Sequence, residues 1–406
     1  MNFLILGSSA AGINAARELR KLNHDANITV ASKDKILVSR CILHHYIEGK
    51  RDETMLHFAG PNVIEEHNIN FLKGYTATNV NTTDKLVTFD NGEVIAYDKL
   101  LIATGSSSFI PPVPGLREGK QVIGLRDLED AVRIKEAIKP GMNIAIIGSG
   151  LVGMDALESL THYDVNIHLV DGADHLLNLQ LDERSSNTYY EAAKKFGVTG
   201  HFSVFAKEVH LDSENNVTGL ELANGEKFDV DLIIASAGTR SNISFLQDSE
   251  IELWERGLKF DDYGRTNVED VYGAGDVSGV HPIWPMAVKE GIIAATNMSG
   301  GNTVMDDFFA SKATMNFFGI PTMSVGSLKE EEGVEFKIYD DGQVYRKLAI
   351  KQGKVVGAIL QNDIDYGGIL IQLIKRDLHI DNLSKDVFEL DYSDFFNLDD
   401  NVEYQY

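Results

Sequence analysis

The stretch FLILGSSAAGINAARELR, Phe3 to Arg20, decides the fold of this chain. Its first part, Phe3 to Leu6, is a short apolar run that predicts a buried parallel strand. After the turn through Gly7, Ser8 and Ser9, apolar residues recur at helical spacing, which predicts an amphipathic helix. Strand, turn and helix form the front half of a dinucleotide-binding βαβ unit, in which a pyrophosphate lies against open amides at the helix N-terminus. The glycine pattern is incomplete, because its middle position is Ser9.

The rest of this first unit departs from the usual pattern at one point. A second strand is predicted at Ala26 to Ala31, and a carboxylate near its end normally binds the ribose hydroxyls. The nearest acid here is Asp34, so the ribose site is either shifted by a residue or two or uses Ser32. The apolar run LLIATG, Leu100 to Gly105, is predicted to be a further buried strand of the same unit.

A second, complete copy of the pattern follows in NIAIIGSGLVGMDALESL, Asn143 to Leu160. It has all three glycines of the pattern, Gly148, Gly150 and Gly153. Its second strand ends at Asp171, where an acid is expected about 20 residues on. The unit closes with DLIIASAGTRSN, Asp231 to Asn242, which echoes LLIATG. Two such patterns in order indicate a degenerate internal repeat.

Composition limits the classes of function. The 406 residues suffice for two or three domains, and the apolar content of 43% is that of a soluble globular protein. The net charge of −24 argues against nucleic acid and anionic membranes as partners. No membrane span or export signal is read from the sequence, so a cytoplasmic location is expected. The acidic C-terminal segment is interpreted as a solubilising surface, with docking of a basic partner as the alternative.

The single cysteine, Cys41, excludes an internal disulfide, a zinc site built from several thiolates, and a two-cysteine redox motif. No metal is predicted. Beyond the second unit, DVYGAGDVS (Asp270 to Ser278) predicts a short strand, and the stretch Pro282 to Gly300 predicts a loop and helix. From about Asn302 the pattern changes to alternating strands followed by a helix, which is typical of an α+β domain.

The ordered set GSSAAG, YDKLLIATG, GSGLVG, VYGAGD, WPMAVKEG and GAILQNDIDYGGILIQLIK resembles the FAD-dependent pyridine nucleotide-disulfide oxidoreductases. Within that family the chain is most similar to the NADH:rubredoxin oxidoreductase and nitrite reductase flavoprotein branch. The resemblance implies an α/β fold with two Rossmann-like domains, for FAD and NAD, and a C-terminal α+β domain. It implies a discontinuous FAD domain made of 1–110 and 243–302. The NAD(H) domain, 111–242, is inserted between these two pieces, and the C-terminal domain is 303–406.

The resemblance also implies roles for individual residues. The first loop would hold the FAD pyrophosphate, with Asp34 on the ribose, Arg40 near the flavin and Asp276 on the ribityl–pyrophosphate region. The second loop and Asp171 would bind NADH, and this carboxylate would repel the 2′-phosphate of NADPH. Trp284 is interpreted as a packing residue under the flavin. The full set of predicted cofactor-binding residues is Gly7, Ser8, Ser9, Ala10, Ala11, Gly12, Asp34, Arg40, Ala103, Thr104, Gly105, Gly148, Gly150, Leu151, Val152, Gly153, Asp155, Asp171, Gly238, Gly275, Asp276 and Trp284.

Three departures from the family leave the electron acceptor open. Ala10 stands where related peroxidases carry a histidine, Asp155 where a glutamate is frequent, and Asn316 where a lysine is common. The implied activity is transfer of electrons from NADH through flavin to a small redox protein, dioxygen or an organic electrophile. The alternatives are a disulfide, persulfide or CoA-disulfide reductase that depends on Cys41, and a flavin-binding redox sensor. A monomer and a homodimer are both compatible with the resemblance.

Two residues are candidates for direct catalysis. Cys41 lies near the redox cysteine of the single-cysteine branch, and the adjacent Arg40 would favour its thiolate; against this, a lone cysteine among apolar residues is usually a packing residue. His44 is a candidate proton donor. Adjacent helical residues diverge by about 100°, so one of His44 and His45 can face the flavin while its neighbour faces away.

Overall fold

The computed structural model describes 1–280, 282–306, 312–381 and 385–394, together with 397–398 and 404–405. The chain forms two compact units. The first combines Met1–Gly172 with Val198–Ala310, and the second combines Ala173–Gly197 with Ser311–Tyr406. The three-domain division drawn from the sequence stays a prediction, because the observed grouping has two units. Among the helices described, none is both long and apolar enough to cross a membrane.

The first unit contains a five-stranded parallel sheet built around the opening strand of the chain. Its strands are, in spatial order, Val271–Gly273, Lys99–Ile102, Asn2–Leu6, Asn27–Ser32 and Asn70–Lys73. The helix Ala10–Leu22 follows the first strand, as predicted. Phe3 and Ile5 pack with this helix, whereas Leu4 and Leu6 pack against a second layer that includes Phe89. The opening strand is apolar throughout because both of its faces are covered.

A second parallel sheet repeats this arrangement in the same unit. Its strands are, in spatial order, Thr199–His201, Asn166–Val170, Asn143–Ile147, Leu232–Ala235 and Val122–Gly124. The repeat extends to single hydrogen bonds: Gly7 donates its amide to the Ala31 carbonyl, and Gly148 donates to Val170, both at 2.8 Å. The internal repeat predicted from the glycine patterns is therefore present in the backbone.

Smaller elements complete the first unit. Two antiparallel three-stranded sheets precede the closing strands of the repeats, and a two-stranded ribbon joins the halves. Their strands are Ala77–Asn81, Leu86–Phe89 and Val94–Ala96; Ala206–Leu211, Val217–Leu222 and Lys227–Asp229; and Ser106–Ser108 with Thr239–Ser241. The remaining helices are Leu43–Ile47, Val63–Glu66, Leu128–Ala137, Leu151–Leu160 and Trp284–Met298, with 3-10 turns at Arg40–Ile42, Glu53–Leu56, Ser244–Leu246 and Asp276–Ser278.

The helices Ala10–Leu22 and Trp284–Met298 pack closely through small residues. A Cβ at Gly291 would lie 2.3 Å from the Ala11 carbonyl oxygen, so this crossing requires glycine. The contact brings the GAGD turn and the helix that follows it against the first glycine loop, although they are far apart in the sequence.

The second unit is an antiparallel five-stranded sheet with helices, as the sequence predicted for the C-terminal part. Its strands are, in spatial order, Ala313–Phe317, Ile320–Gly326, Lys354–Gln361, Tyr345–Lys351 and Val334–Asp340. Its other elements are the helices Glu183–Lys194 and Gly367–Lys375, 3-10 turns at Val387–Glu389 and Tyr392–Asp394, and the pair Asn397–Leu398 with Tyr404–Gln405. The rest of the acidic C-terminal segment lies partly outside the described residues.

The inserted helix Glu183–Lys194 belongs to this second unit through specific polar contacts. Its N-cap, Asp182, accepts hydrogen bonds from the Tyr345 hydroxyl at 2.6 Å and the Lys347 ammonium at 3.0 Å. The Gln361 side chain donates to the Ser185 carbonyl at 3.0 Å. Asp182 caps the helix by accepting from the Ser185 amide at 3.0 Å, and the bonds from the sheet hold this carboxylate in place and satisfy the buried Gln361 amide.

Candidate active site

The first glycine loop is a tight cradle at the carboxyl end of the opening strand. Gly7 has a φ of +110°, and a Cβ there would lie 2.1 Å from the Ala103 carbonyl oxygen. A Cβ at Gly12 would lie 1.9 Å from the Gly7 carbonyl oxygen. Both positions therefore require glycine. Ser9 is the helix N-cap and its side chain makes no capping hydrogen bond, so the middle position tolerates a side chain.

The second loop has the same geometry. Gly148 has a φ of +104°, and a Cβ at Gly153 would lie 2.0 Å from the Gly148 carbonyl oxygen. Gly150 is the helix N-cap, and no described atom lies within 4 Å of a Cβ built there. Each loop thus brings bare backbone to the start of a helix, which is the arrangement that fits a pyrophosphate. The residues present fit two dinucleotides, one for each loop.

Asp171 lies at the end of its strand, where the sequence placed the ribose-binding acid. Its carboxylate accepts hydrogen bonds from the Ser149 amide and the Ser149 hydroxyl, each at 2.6 Å, so it is fixed against the glycine loop. Phe205, which sequence reasoning missed, lies beside it: the ring is 71% exposed, and a Cβ at Gly172 would lie 2.1 Å from a ring carbon. In the sequence, Phe205 could have been noticed only as an aromatic residue outside the predicted strands and helices.

The corresponding acid of the first half is held by arginine. Asp34 accepts a hydrogen bond from the Arg40 guanidinium at 2.9 Å, and Arg40 also donates to the Arg126 carbonyl at 3.0 Å. Lys33 forms an ion pair with Asp127 at 2.8 Å. The segment after the second strand is thus joined by two polar contacts to the start of the helix Leu128–Ala137.

Arg126 is a further residue that the sequence analysis missed. Its guanidinium pairs with Asp276 of the GAGD turn, and it donates to the Ser106 carbonyl at 3.1 Å and to the Ser106 hydroxyl at 3.0 Å. The turn itself requires Gly275, whose φ is +81°. Arg126 therefore links the segment leading to the second loop with the acid predicted to bind FAD. Its neighbours in the sequence gave no sign of this partner.

The other predicted cofactor-binding residues line the approaches to the loops. Thr104 donates its hydroxyl to the Asn242 carbonyl at 2.8 Å, and the Asn242 amide returns a hydrogen bond to Thr104 at 3.0 Å. Gly238 has a φ of +106° at the end of the matching strand of the second half. Trp284 begins its helix and packs edge-on against Phe58, with ring centroids 4.9 Å apart, which agrees with a packing role.

A small pocket lies between the two halves of the first unit. Side chains from both halves line it: Arg40, Leu43, His44, Leu125, Arg126, Val152 and Asp155. Asp155 Oδ1 lies 3.5 Å from His44 Nδ1. Burial raises the pKa of Asp155 well above its ordinary range, and the charges of Glu158 and Glu48 raise it further. Burial, with the charge of His45, lowers the pKa of His44 to about 4, so this imidazole is neutral at pH 7.

His44 and His45 lie side by side, and of the two it is His44 that lines the pocket. Their ring centroids are 4.0 Å apart at a tilt of 54°. The helix Leu43–Ile47 has only five residues, so the two side chains can converge where the chain enters it from a 3-10 turn. His45 Nδ1 lies 3.4 Å from Glu48 Oε2, and both rings therefore lie near the same carboxylate-rich region.

Cys41 differs from the expectation of a stabilised thiolate. The residue has exposed surface, yet desolvation by the surrounding protein raises the pKa of its thiol. The charges of Asp155 and Asp276 raise this pKa further, and Arg126 opposes them. Arg40 is meanwhile engaged by Asp34. The direction of this pKa shift is opposite to the one expected from the neighbouring arginine, because desolvation first, and nearby carboxylates second, disfavour the charged thiolate.

Glu290 is a partly buried acid within the WPMAVKEG segment, and no role was predicted for it from the sequence. Its Oε2 accepts a hydrogen bond from the Gly275 amide at 2.6 Å, under the GAGD turn. Burial and the charge of Asp276, opposed by the hydrogen bond from the Gly275 amide, together raise the pKa of Glu290 from 4.5 to about 7. The folded protein therefore binds a proton here at pH values where the unfolded chain has released it.

Replacing Glu290 by glutamine is expected to flatten the pH dependence of stability. Since the pKa is higher in the folded state, the wild-type protein loses stability as pH rises from about 4.5 through 7. The difference between the ordinary and raised values, 7 − 4.5, corresponds to at most about 3 kcal/mol at pH 8. Thermal unfolding from pH 5 to 8 should show a smaller fall in Tm for Glu290→Gln. The exposed control Glu255→Gln should retain the wild-type slope; equal slopes for all three proteins would contradict the assignment.

The fold and site define a class: an oxidoreductase with two dinucleotide-binding halves, one for a flavin dinucleotide and one for a nicotinamide dinucleotide. The model of the pyridine nucleotide-disulphide oxidoreductase family matches residues 1–291, and that of the rubredoxin NAD⁺ reductase C-terminal domain matches 312–378. The chain belongs to the pyridine nucleotide-disulphide oxidoreductase family. The predicted family, fold class, enzyme class and cofactors, FAD and NADH, are thereby confirmed.

Individual relatives are distant. The chain is 26% identical to nitrite reductase [NAD(P)H] of Bacillus subtilis (strain 168), over 94% of this chain and 48% of the relative. It is 27% identical to the NADH-dependent phenylglyoxylate dehydrogenase subunit epsilon of Aromatoleum evansii, over 92% of this chain and 91% of the relative. It thus spans about half the length of the nitrite reductase.

Among solved structures, the NAD-dependent persulfide reductase from A. fulgidus has a similar fold. The TM-score is 0.84 at 24% sequence identity, and the match covers 94% of this chain and 78% of the other. At this identity the similarity establishes the fold alone.

Proposed function

We propose that this protein is an FAD-dependent NADH dehydrogenase that passes electrons to an external acceptor. The observation that carries the proposal is the pocket between the two halves of the first unit, to which both halves contribute side chains. A hydride donor held by one half and an acceptor held by the other would meet there. Proximity of this kind supplies much of the catalysis in transfer between two bound cofactors.

The roles of the protein side chains follow from their positions. The first loop and Asp276 would hold FAD, and the second loop with Asp171 would hold NADH; the exposed ring of Phe205 is suited to stack on the adenine. FAD, when bound, supplies the ring that takes a hydride from NADH and passes the electrons on. Leu43, Leu125 and Val152 contribute apolar side chains to the lining of the pocket. The neutral His44 imidazole beside Asp155 places no fixed positive charge there.

The external acceptor would be a small redox protein, dioxygen or an organic electrophile. A small redox protein is supported by the match of 312–378 to the C-terminal domain of rubredoxin NAD⁺ reductases. The net charge of −24 favours a partner that is not itself strongly acidic. Anaerobic mixing with NADH should bleach the flavin absorbance, and re-oxidation by each class of acceptor should then be compared. Failure of NADH to bleach the flavin would refute the proposal.

Replacing Cys41 by serine is expected to leave NADH-driven flavin reduction and acceptor turnover within about twofold of wild type. The raised pKa of the thiol makes it a poor nucleophile at neutral pH, because the thiolate is the reactive form. Stopped-flow bleaching and steady-state rates with protein, dioxygen, disulfide and persulfide acceptors provide the measurement. Activity lost with disulfide or persulfide alone would support the second candidate function, a Cys41-dependent reductase. A neighbouring Ser39→Ala variant controls for local disturbance.

A further inference from the structure

Three potential metal ligands converge beside the pocket. One ligand atom each from His44, His45 and Glu48 lies within 4.8 Å of the other two. The two imidazole rings approach to 4.0 Å, and His45 Nδ1 lies 3.4 Å from Glu48 Oε2. Imidazole nitrogens and a carboxylate oxygen are the donor set that divalent zinc and its neighbours among the transition metals accept.

Glu48 provides a second, independent indication of a ligand. Its side chain has no exposed surface. Lys50 Nζ lies 2.7 Å from Oε2, but within the described part of the chain Oε1 is buried without any hydrogen-bond partner. A buried carboxylate oxygen without a partner costs about 1–3 kcal/mol or more, so native proteins rarely retain one without a function. A cation held between Glu48 and the two histidines would satisfy this oxygen.

Asp155 lies beside His44 and supports the same interpretation. Its Oδ1 lies 3.5 Å from His44 Nδ1. Ligating histidines are commonly oriented by a carboxylate on their second ring nitrogen, which fixes the tautomer and the ring plane. Two carboxylates, Glu48 and Asp155, thus flank the histidine pair, and the Lys50 side chain that pairs with Glu48 is 55% exposed.

We propose that His44, His45 and Glu48 form a binding site for a divalent transition metal, with Asp155 orienting His44. Three protein ligands leave coordination positions for water. No metal was predicted from the sequence, although a single cysteine excludes only sites built from several thiolates. The site rests on the residues themselves and does not depend on the proposed function. If that function holds, bound metal should also slow flavin reduction, since His44 and Asp155 line the pocket.

A second cluster of similar composition provides a matched control. Glu208, His210 and Glu221 meet the same distance limit. Glu221, however, already forms ion pairs with Lys207 at 2.6 Å and Lys227 at 2.8 Å. Two ammonium groups neutralise this carboxylate and repel a further cation. This cluster is therefore not expected to bind metal.

The test is calorimetric titration of Zn²⁺ into the FAD-loaded protein after treatment with a chelator and desalting. We expect one zinc ion per chain, with affinity at least tenfold weaker in His45→Ala and in Glu48→Gln. His210→Ala should bind as wild type does. Lys50→Met should bind more tightly, because it removes the ammonium that competes for Glu48. Flavin content and Tm of every variant establish that it is folded.

The proposal is overturned if the wild-type protein binds no zinc, or if His45→Ala and Glu48→Gln bind it as well as wild type. It is also overturned if His210→Ala alone removes the binding. The Lys50→Met variant tests the site in the opposite direction, and its flavin content and Tm establish that any gain of affinity belongs to the folded protein. Zinc binding at this site with unchanged flavin reduction would retain the metal site and count against the placement of the nicotinamide in the pocket.

Discussion

Replacing Gly153 by alanine is expected to lower the rate of flavin reduction by NADH about 10- to 100-fold while FAD remains bound. The added Cβ would lie 2.0 Å from the Gly148 carbonyl oxygen and 2.9 Å from the Ser236 hydroxyl. The first of these atoms belongs to the backbone of the loop itself, so the helix must move away and open the cradle. Overpacking of this kind costs about 1–3 kcal/mol, which corresponds to the stated range. Stopped-flow bleaching of the flavin absorbance at low NADH concentration measures the rate of flavin reduction.

Gly150→Ser is the matched control for this variant. No described atom lies within 4 Å of a Cβ at Gly150, and the first loop already carries Ser9 at the equivalent place. The control should fold normally and lose at most a few-fold in rate. The first glycine loop is unchanged in both variants, so both should retain FAD. Flavin content and Tm measured for each variant check this. Wild-type reduction by Gly153→Ala would show that the second loop does not hold NADH.

Replacing Asp171 by alanine is expected to lower the preference for NADH over NADPH about 10- to 100-fold. The carboxylate would accept hydrogen bonds from the ribose hydroxyls and repel a 2′-phosphate, and charged hydrogen bonds contribute about 1.5–3 kcal/mol each. The substitution also removes the acceptor of the two hydrogen bonds from Ser149. Values of kcat/KM for both nucleotides with one common acceptor give the ratio.

Ser149→Ala separates the two effects of the Asp171 substitution. It removes the hydroxyl that donates to Asp171 but keeps the carboxylate and the backbone donor. The nucleotide preference should therefore stay near that of wild type, even where the affinity for NADH falls. A preference lost equally in both variants would mean that loop geometry decides the specificity. An unchanged preference in Asp171→Ala would place the ribose contact elsewhere.

Much of the fold could be predicted because its signals are local. The strand Asn2–Leu6, its helix, and their repeat at Asn143–Leu160 were all visible as apolar runs beside glycine turns. Gly7 and Gly148 adopt positive φ, and a positive φ selects glycine at that one position of the sequence. The tolerance of Ser9 is explained by the same geometry, since its counterpart Gly150 has open space around it.

The candidate site was only partly predictable. Arg126 lies in none of the quoted motifs, and its partner Asp276 is 150 residues further along the chain. Glu290 lies within WPMAVKEG, but no role was predicted for it, because the Gly275 amide that it binds belongs to a different motif. The thiol of Cys41 was misjudged for the same reason: Arg40 is its neighbour in sequence, but burial and the carboxylates brought near it by folding set its pKa. The charges that act on a group are those close in space.

The sequence by itself determined the two dinucleotide-binding halves and the position of Asp171 at the end of a strand of the second half. Spacing, turn glycines and strand ends are properties of short segments, so they can be read locally. Only the tertiary structure decided which side chains share the pocket. It set His44 beside Asp155, paired Arg126 with Asp276, and left a buried oxygen of Glu48 without a partner among the described residues. Such pairings depend on how separate segments pack, and the distance between two segments cannot be read from the local sequence pattern of either one.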